Sequence, residues 1–176
     1  MSLASRGSQV ISLMERVEIP RIFENTLGIL CAHEGHLYNM KHEKSCGVVA
    51  YIIINNEINY LLVKQTNGFL SFPKGHVENN ETEEETALRE CLEETSLKVI
   101  IKKGFRKVIH YYIPEIDVDK EVVLFIGEIT NLNYHKQEKE ITDIKVCKYL
   151  EAHNLLEFDN WKETLKAAND FLQENL

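Results

Sequence analysis

The sequence predicts an α/β (α+β) fold, an α/β/α sandwich with mixed β-sheets held between helices. Two β-branched apolar runs, Cys46 to Ile54 and Ile58 to Gln65, flank the pair Asn55-Asn56 and read as a hairpin, since Asn tolerates the left-handed backbone of a tight turn. A helical repeat then starts near Glu81, and more strand-like runs follow it. The chain closes on an amphipathic stretch, Trp161 to Gln173. Strands, a helix, more strands and a closing helix within 176 residues argue for one layered domain.

In chain order, residues 1–44 read as an N-terminal extension, an upstream segment, a tag-derived one or a docking arm, and 45–176 as the domain proper. Gln9 to Glu18 and Arg21 to Cys31 have short helical patterns, with Pro20 between them. His33, Glu34 and His36 share a glycine-containing loop, and such clusters are more often loops than metal sites. Cys46 to Ile54 is apolar almost throughout, which predicts a strand covered on both faces. Thr66-Asn67-Gly68 turns the chain into Phe69 to Phe72. After the helix, Lys98 to Tyr112 reads as a strand with a bend at Gly104, followed by an acidic loop and a central strand from Glu121 to Thr130. A polar loop, Asn131 to Glu140, leads to a strand from Ile144 to Leu150. Glu151 to Glu157 is predicted helical, and Asp159 or Asn160 is expected to cap the last helix. Its stripe is Trp161, Leu165, Ala168, Phe171 and Leu172.

Composition narrows the function. A hydrophobic content of 44% suits a chain that buries a core. A net charge of −8 argues against general nucleic-acid or anionic-membrane binding. No run reaches the roughly 18 apolar residues of a membrane span, and Val10 to Met14 is too short for a signal peptide, so a cytoplasmic location is expected. The four cysteines form no CxxC pair and read as reduced core residues.

The stretch 72–97 carries the chemistry. Pro73 and Gly75 shape a turn, and Asn80 with Glu83 matches a capping box, so the helix is expected to start near Glu81. Ala87, Leu88, Cys91 and Leu92 supply a buried stripe. Glu90, Glu93 and Glu94 stand at i, i+3 and i+4, where like charges repel. They also crowd the last turns, where the helix dipole favours cations. A conflict of this kind is expected where function has intervened. Three carboxylates on one face are what a hard divalent cation needs, although a solvated acidic face has the same composition.

Gly75, five residues, Glu81, seven residues, then Arg89-Glu90-Cys91-Leu92-Glu93-Glu94-Thr95-Ser96-Leu97 closely resembles the Nudix hydrolase box. Cys91 fills an aliphatic slot and Ser96 replaces a glycine. The resemblance implies a pyrophosphohydrolase working with Mg²⁺, with Mn²⁺ as a substitute. It implies Glu93 and Glu94 as metal ligands, Glu90 as general base or further ligand, and the Gly75 carbonyl as a backbone ligand. Arg89 would orient the acids with Glu81 or Glu85 as its partner. A further acid from a later loop would be Asp143, which stands six residues before Tyr149, with Glu138 and Glu140 competing.

From Cys46 to the last helix the chain is most similar to asymmetric diadenosine tetraphosphate hydrolases of the animal, archaeal and bacterial type. Phe72-Pro-Lys-Gly-His-Val-Glu78 resembles their phosphate-side signature. Lys74, His76 and Lys120 would then bind phosphate, and Tyr111 would stack on adenine. Leu70 departs from the Trp that many relatives carry. The expected partner is a small nucleotide substrate, with no nucleic acid or membrane, and the protein a monomer or weak dimer. Alternative substrates are RNA 5′ ends, nucleoside triphosphates and diphosphoinositol polyphosphates. A nucleotide-sensing domain without activity is the alternative of another class.

Overall fold

The computed structural model describes residues 41–135 and 140–176. The expected helices before Cys31, the His33–His36 cluster and Glu138 lie outside the described residues. Strand β1 (Lys41–Ile54) turns through Asn55 and Asn56, both at positive φ, into β2 (Glu57–Gln65). Short strands β3 (Leu70–Ser71) and β4 (Lys74–His76) lead to helix α1 (Glu83–Thr95). β5 (Val99–Ile101) and β6 (Lys107–Ile113) flank Gly104, whose φ of 98° makes the expected bend. β7 (Val118–Ile129), β8 (Ile141–Lys148), α2 (Tyr149–Leu155) and α3 (Asp159–Asn175) complete the chain.

The strands join in one mixed sheet with a path β3-β2-β1-β7-β5, and β4, β6 and β8 pair with β1, β7 and β2. β1 and β7 run parallel, and the other pairs are antiparallel. Side chains alternate along β1, so Val48 and Ala50 meet Ala87 and Cys91 of α1. Val49 and Tyr51 meet the opposite layer, which holds Ala152 of α2 and Trp161, Leu165 and Leu172 of α3. This double cover is why β1 and β7 read as continuous apolar runs. Trp161 packs edge-on against the fully buried Phe72, with ring centroids 5.7 Å apart. Such a pair adds about 0.5–1.5 kcal/mol beyond burial, and it fixes the root of the segment leading to β4. Cys46, Cys91 and Cys147 are free and buried. Among the described residues no helix is long and apolar enough to cross a membrane.

Several boundaries differ from expectation. β1 begins at Lys41 rather than Cys46, because its polar start still pairs with β7. Helix α1 is capped by Thr82 rather than by Asn80: the Glu85 amide donates to Thr82 Oγ1 at 3.2 Å and the Thr82 amide donates to Glu85 Oε2 at 2.8 Å. Asn79 sits at φ 50° and turns the chain just before this box. The buried stripe is also displaced. Thr86, Ala87, Glu90, Cys91, Glu94 and Thr95 face inward, whereas Leu88 and Leu92 are exposed.

Tyr149 and Leu150 belong to α2, not to β8, where Tyr149 packs edge-on against Tyr60. The cap of α3 is Phe158 without a side-chain bond, its ring held against Phe69 at 5.1 Å. Asn160 instead accepts from its neighbour, the Trp161 amide.

Ser96 ends α1 at φ 60°, in the left-handed region, and its amide donates to the Leu92 carbonyl at 2.7 Å. A side chain there carries a steric cost that glycine avoids. Ser96→Gly is expected to raise stability by about 0.5–1 kcal/mol, less than the full strain because glycine loses more entropy on folding. Urea unfolding with an unchanged slope is the measurement. A lowered midpoint would contradict the strain argument.

Candidate active site

β4 is laid antiparallel along the start of β1, with Cys46 opposite Gly75 and Gly47 opposite Lys74. The Val48 amide donates to the Pro73 carbonyl at 3.0 Å and pins the segment. Pairing to β1 on one side leaves β4 to meet α1 on the other. Closeness there depends on glycine: a Cβ on Gly75 would overlap the Glu90 carboxylate. The sequence Lys-Gly-His therefore places its backbone directly against the acids of the helix.

Arg89 organises those acids. Its Nε and Nη2 donate to the two oxygens of Glu81 at 2.7 and 2.9 Å. Nη1 reaches Glu90 at 2.7 Å and Glu93 at 3.2 Å, and Nη2 also donates to the His76 carbonyl at 2.9 Å. Arg89 thus ties the helix to β4, and its bonds hold Glu81 down at about 2. Of the two partners expected for Arg89, Glu81 is bonded and Glu85 is occupied by the helix cap.

Glu90 and Glu94 are buried, at 8% and 3% exposure, which is unusual for carboxylates. Burial pushes both carboxyls upward, opposed at Glu90 by Arg89 and at Glu94 by Lys74. Burial correspondingly pulls the Lys74 ammonium down, and Glu94 opposes that shift. The Lys74 amide donates to Glu94 Oε2 at 3.1 Å. Glu93 stays on the exposed side of the helix.

Among the described residues no three or more His, Cys, Asp or Glu side chains are arranged to hold a metal ion as they stand. The donor set nevertheless fits a hard divalent cation. Two buried carboxylates on one helix face, with the side-chain-free Gly75 directly against Glu90, suit an ion that takes oxygen ligands and keeps some of its water.

The other end of the site is cationic. Across the sheet, Glu43 of β1 is opposite Lys120 of β7, and Lys120 is opposite Tyr111 of β6, which puts the three side chains in one row. Lys120 is 7% exposed, and its Nζ lies 3.0 Å from Glu43 and 2.7 Å from His76 Nε2. Tyr111 is half-buried against the core, and burial raises its phenol.

Two adjoining clefts join these ends. One, of about 250 Å³, has Lys74, His76, Lys120 and Ser45 on its walls, with Gln65, Thr66 and Asn67 from the β2–β3 turn. The second, of about 190 Å³, has Glu78, Glu90, Glu93 and Glu94. Gly75, His76, Glu94 and Glu140 line both.

Asp143 lines neither cleft. It lies exposed on β8 opposite Lys64, its carboxylate accepting from the Ile144 amide at 2.9 Å. Glu140, fixed by the Thr66 amide on its carbonyl at 3.1 Å, is the later acid that faces the helix. Glu43 had no recognisable signal beyond its place in the polar lead-in to the first strand.

Comparison with known proteins supplies the remaining finding. The NUDIX domain family matches residues 45–168. The asymmetrical bis(5′-nucleosyl)-tetraphosphatase of Rattus norvegicus is 29% identical over 143 residues, covering 73% of this chain and 95% of the relative. That of Mus musculus is 29% identical over 141 residues, with the same coverage. Among solved structures, a C. elegans Ap4A hydrolase superposes with a TM-score of 0.70 at 22% identity, covering 75% of this chain and 98% of that one.

Proposed function

The chain belongs to the NUDIX domain family, and on that premise we propose that it cleaves dinucleoside polyphosphates asymmetrically, taking diadenosine tetraphosphate to ATP and AMP. That it is a NUDIX pyrophosphohydrolase follows from the family. The choice of substrate is supported by the tetraphosphatase relatives and carried by one observation. A cleft that carries Lys74, His76 and Lys120 beside Glu94 and Glu140 runs into an acidic one lined by Glu90, Glu93 and Glu94. A polyphosphate chain needs both halves: donors along its length, and acids that hold a cation where the bond breaks.

In this reading Glu93, Glu94 and the Gly75 carbonyl hold Mg²⁺, or Mn²⁺ in its place, and Glu90 is left for the proton. Glu140 is the loop acid that joins them, in preference to Asp143. When bound, the cation neutralises charge at the scissile phosphate and acidifies water. The chain's own residues do the rest. Glu90, held by Arg89 at 2.7 Å, accepts a proton at its carboxylate as the general base. Arg89 fixes that carboxylate and cannot itself give up its proton. Lys74, His76 and Lys120 bind the phosphates, and Tyr111, beside Lys120 in the sheet row, takes the adenine.

The test is a panel of dinucleoside and mononucleoside polyphosphates with Mg²⁺, run in heavy-oxygen water with products separated. Diadenosine tetraphosphate is expected to give equal ATP and AMP, with label in one product only. Two ADP, or faster cleavage of an unrelated pyrophosphate, removes the dinucleotide from the proposal.

A further inference from the structure

Glu43 lies outside the helix that carries the acids, and it lines neither cleft. It nevertheless meets two of the groups that the proposed function assigns to phosphate. Its Oε2 is 3.0 Å from Lys120 Nζ and 2.9 Å from His76 Nε2, and its Oε1 is 2.6 Å from Lys41 Nζ. We propose that Glu43 is a positioning residue, which gathers Lys120 and His76 at the cationic end of the cleft and keeps them set for an anionic polyphosphate. The inference rests on reading that end as the phosphate site.

The case is one of cost. A lysine has a long flexible stem, and fixing it loses rotamer freedom that binding must otherwise supply. An ammonium held at 7% exposure without a counter-charge is also unfavourable, and it would turn out toward water. The carboxylate directly opposite Lys120 in the parallel β1–β7 register meets both demands before substrate arrives. Lys120 Nζ also lies 2.7 Å from His76 Nε2, a ring nitrogen that either donates to Glu43 or accepts from Lys120, so His76 joins the pair through one of these bonds at a time.

A lone carboxylate here would cancel part of the attraction for phosphate. The second oxygen argues otherwise, because it is held by Lys41. Two lysines share one carboxylate, and the cluster keeps a surplus positive charge. Both lysines come from register positions on the same face of the sheet, so the arrangement is built by strands rather than by loops.

The experiment compares Glu43→Gln and Glu43→Asp in the full chain with wild type. It measures kcat and KM on whichever polyphosphate the wild type cleaves, and the inhibition constant of inorganic tripolyphosphate. Glu43→Gln is expected to raise both KM and that inhibition constant by about tenfold, as loss of a charge-assisted bond implies, with kcat within a few-fold. Glu43→Asp keeps the charge but shortens the reach, so it should fall between. In a Lys120→Met background, Glu43→Gln should add little further, because the carboxylate acts through the lysine.

A folded Glu43→Gln protein that binds tripolyphosphate as well as wild type, or better, overturns the proposal. If Glu43→Gln does not fold, a wild-type inhibition constant in Glu43→Asp overturns it. A wrong substrate assignment is distinguishable, since it changes the wild-type products and leaves the tripolyphosphate comparison intact.

Discussion

Glu94→Gln is expected to lower turnover by roughly 10²–10³-fold, the several kcal/mol that a cation at the reacting phosphate contributes. The chain should still fold. Glu94 is 3% exposed and accepts the Lys74 amide, and glutamine keeps an oxygen for that bond. The substitution removes a buried charge, although it also leaves the buried Lys74 with one anion fewer. Burial raises the folded-state pKa of Glu94 to about 8, so the metal-free wild type loses stability as pH rises from the ordinary carboxylate range up to that value and loses no more above it. Glutamine lacks this loss, and in metal-free buffer the variant gains on wild type over that same range. With Mg²⁺ added the comparison should reverse, because the wild type, with its full set of acids, gains more stability from the ion. Turnover measured against Mg²⁺ concentration, with thermal unfolding in parallel, tests both halves. Turnover within a few-fold of wild type at saturating Mg²⁺ would remove Glu94 from the metal set.

The acids of α1 were legible because their spacing lies within one helix, where sequence distance and spatial distance coincide. The phase of that helix was not. Leu88 and Leu92 would turn inward if burial of apolar surface decided alone, yet they are exposed while Glu90 and Glu94 face β4. That inversion sets the site's charge against the hydrophobic effect, and nothing in the local pattern reveals which wins. The helix start was misplaced for a milder reason. Asn80 with Glu83 and Thr82 with Glu85 both fit a capping box, and the turn at Asn79 selects the second. Glu43 could not be found because its partner Lys120 lies 77 residues away, joined only through the parallel pairing of β1 and β7. The layers themselves were readable, since the double cover of β1 and β7 is written as unbroken apolar runs. The offset from Asp143 to Tyr149 points to a site only if the aromatic opens a strand, but β8 ends at Lys148 and Tyr149 begins α2.

Gly75→Ala is expected to cost about as much activity as removing the Glu90 carboxylate, on the order of 10²-fold or more for a group acting at the reacting atoms. Gly75 has no positive φ, so an alanine backbone is tolerated there and β4 can keep its pairing to Cys46. What is not tolerated is the methyl group, which would overlap the Glu90 carboxylate. Glu90 must move, because Gly75 is fixed by β1 whereas the carboxylate ends a flexible side chain. Its escape is restricted by burial and by Arg89, which holds Oε1 at 2.7 Å. The stability cost should therefore be about 1–3 kcal/mol, the range for overpacking. The activity cost should be larger, because the displaced group is the proposed base. A double-mutant cycle separates the two. In a Glu90→Ala background the methyl group has room, and Gly75→Ala should then add almost nothing to the loss of activity. Full additivity of the two changes would mean that Gly75 matters for some reason other than its contact with Glu90. Near-wild-type turnover in Gly75→Ala alone would show that the observed carboxylate position is not the one used in the reaction.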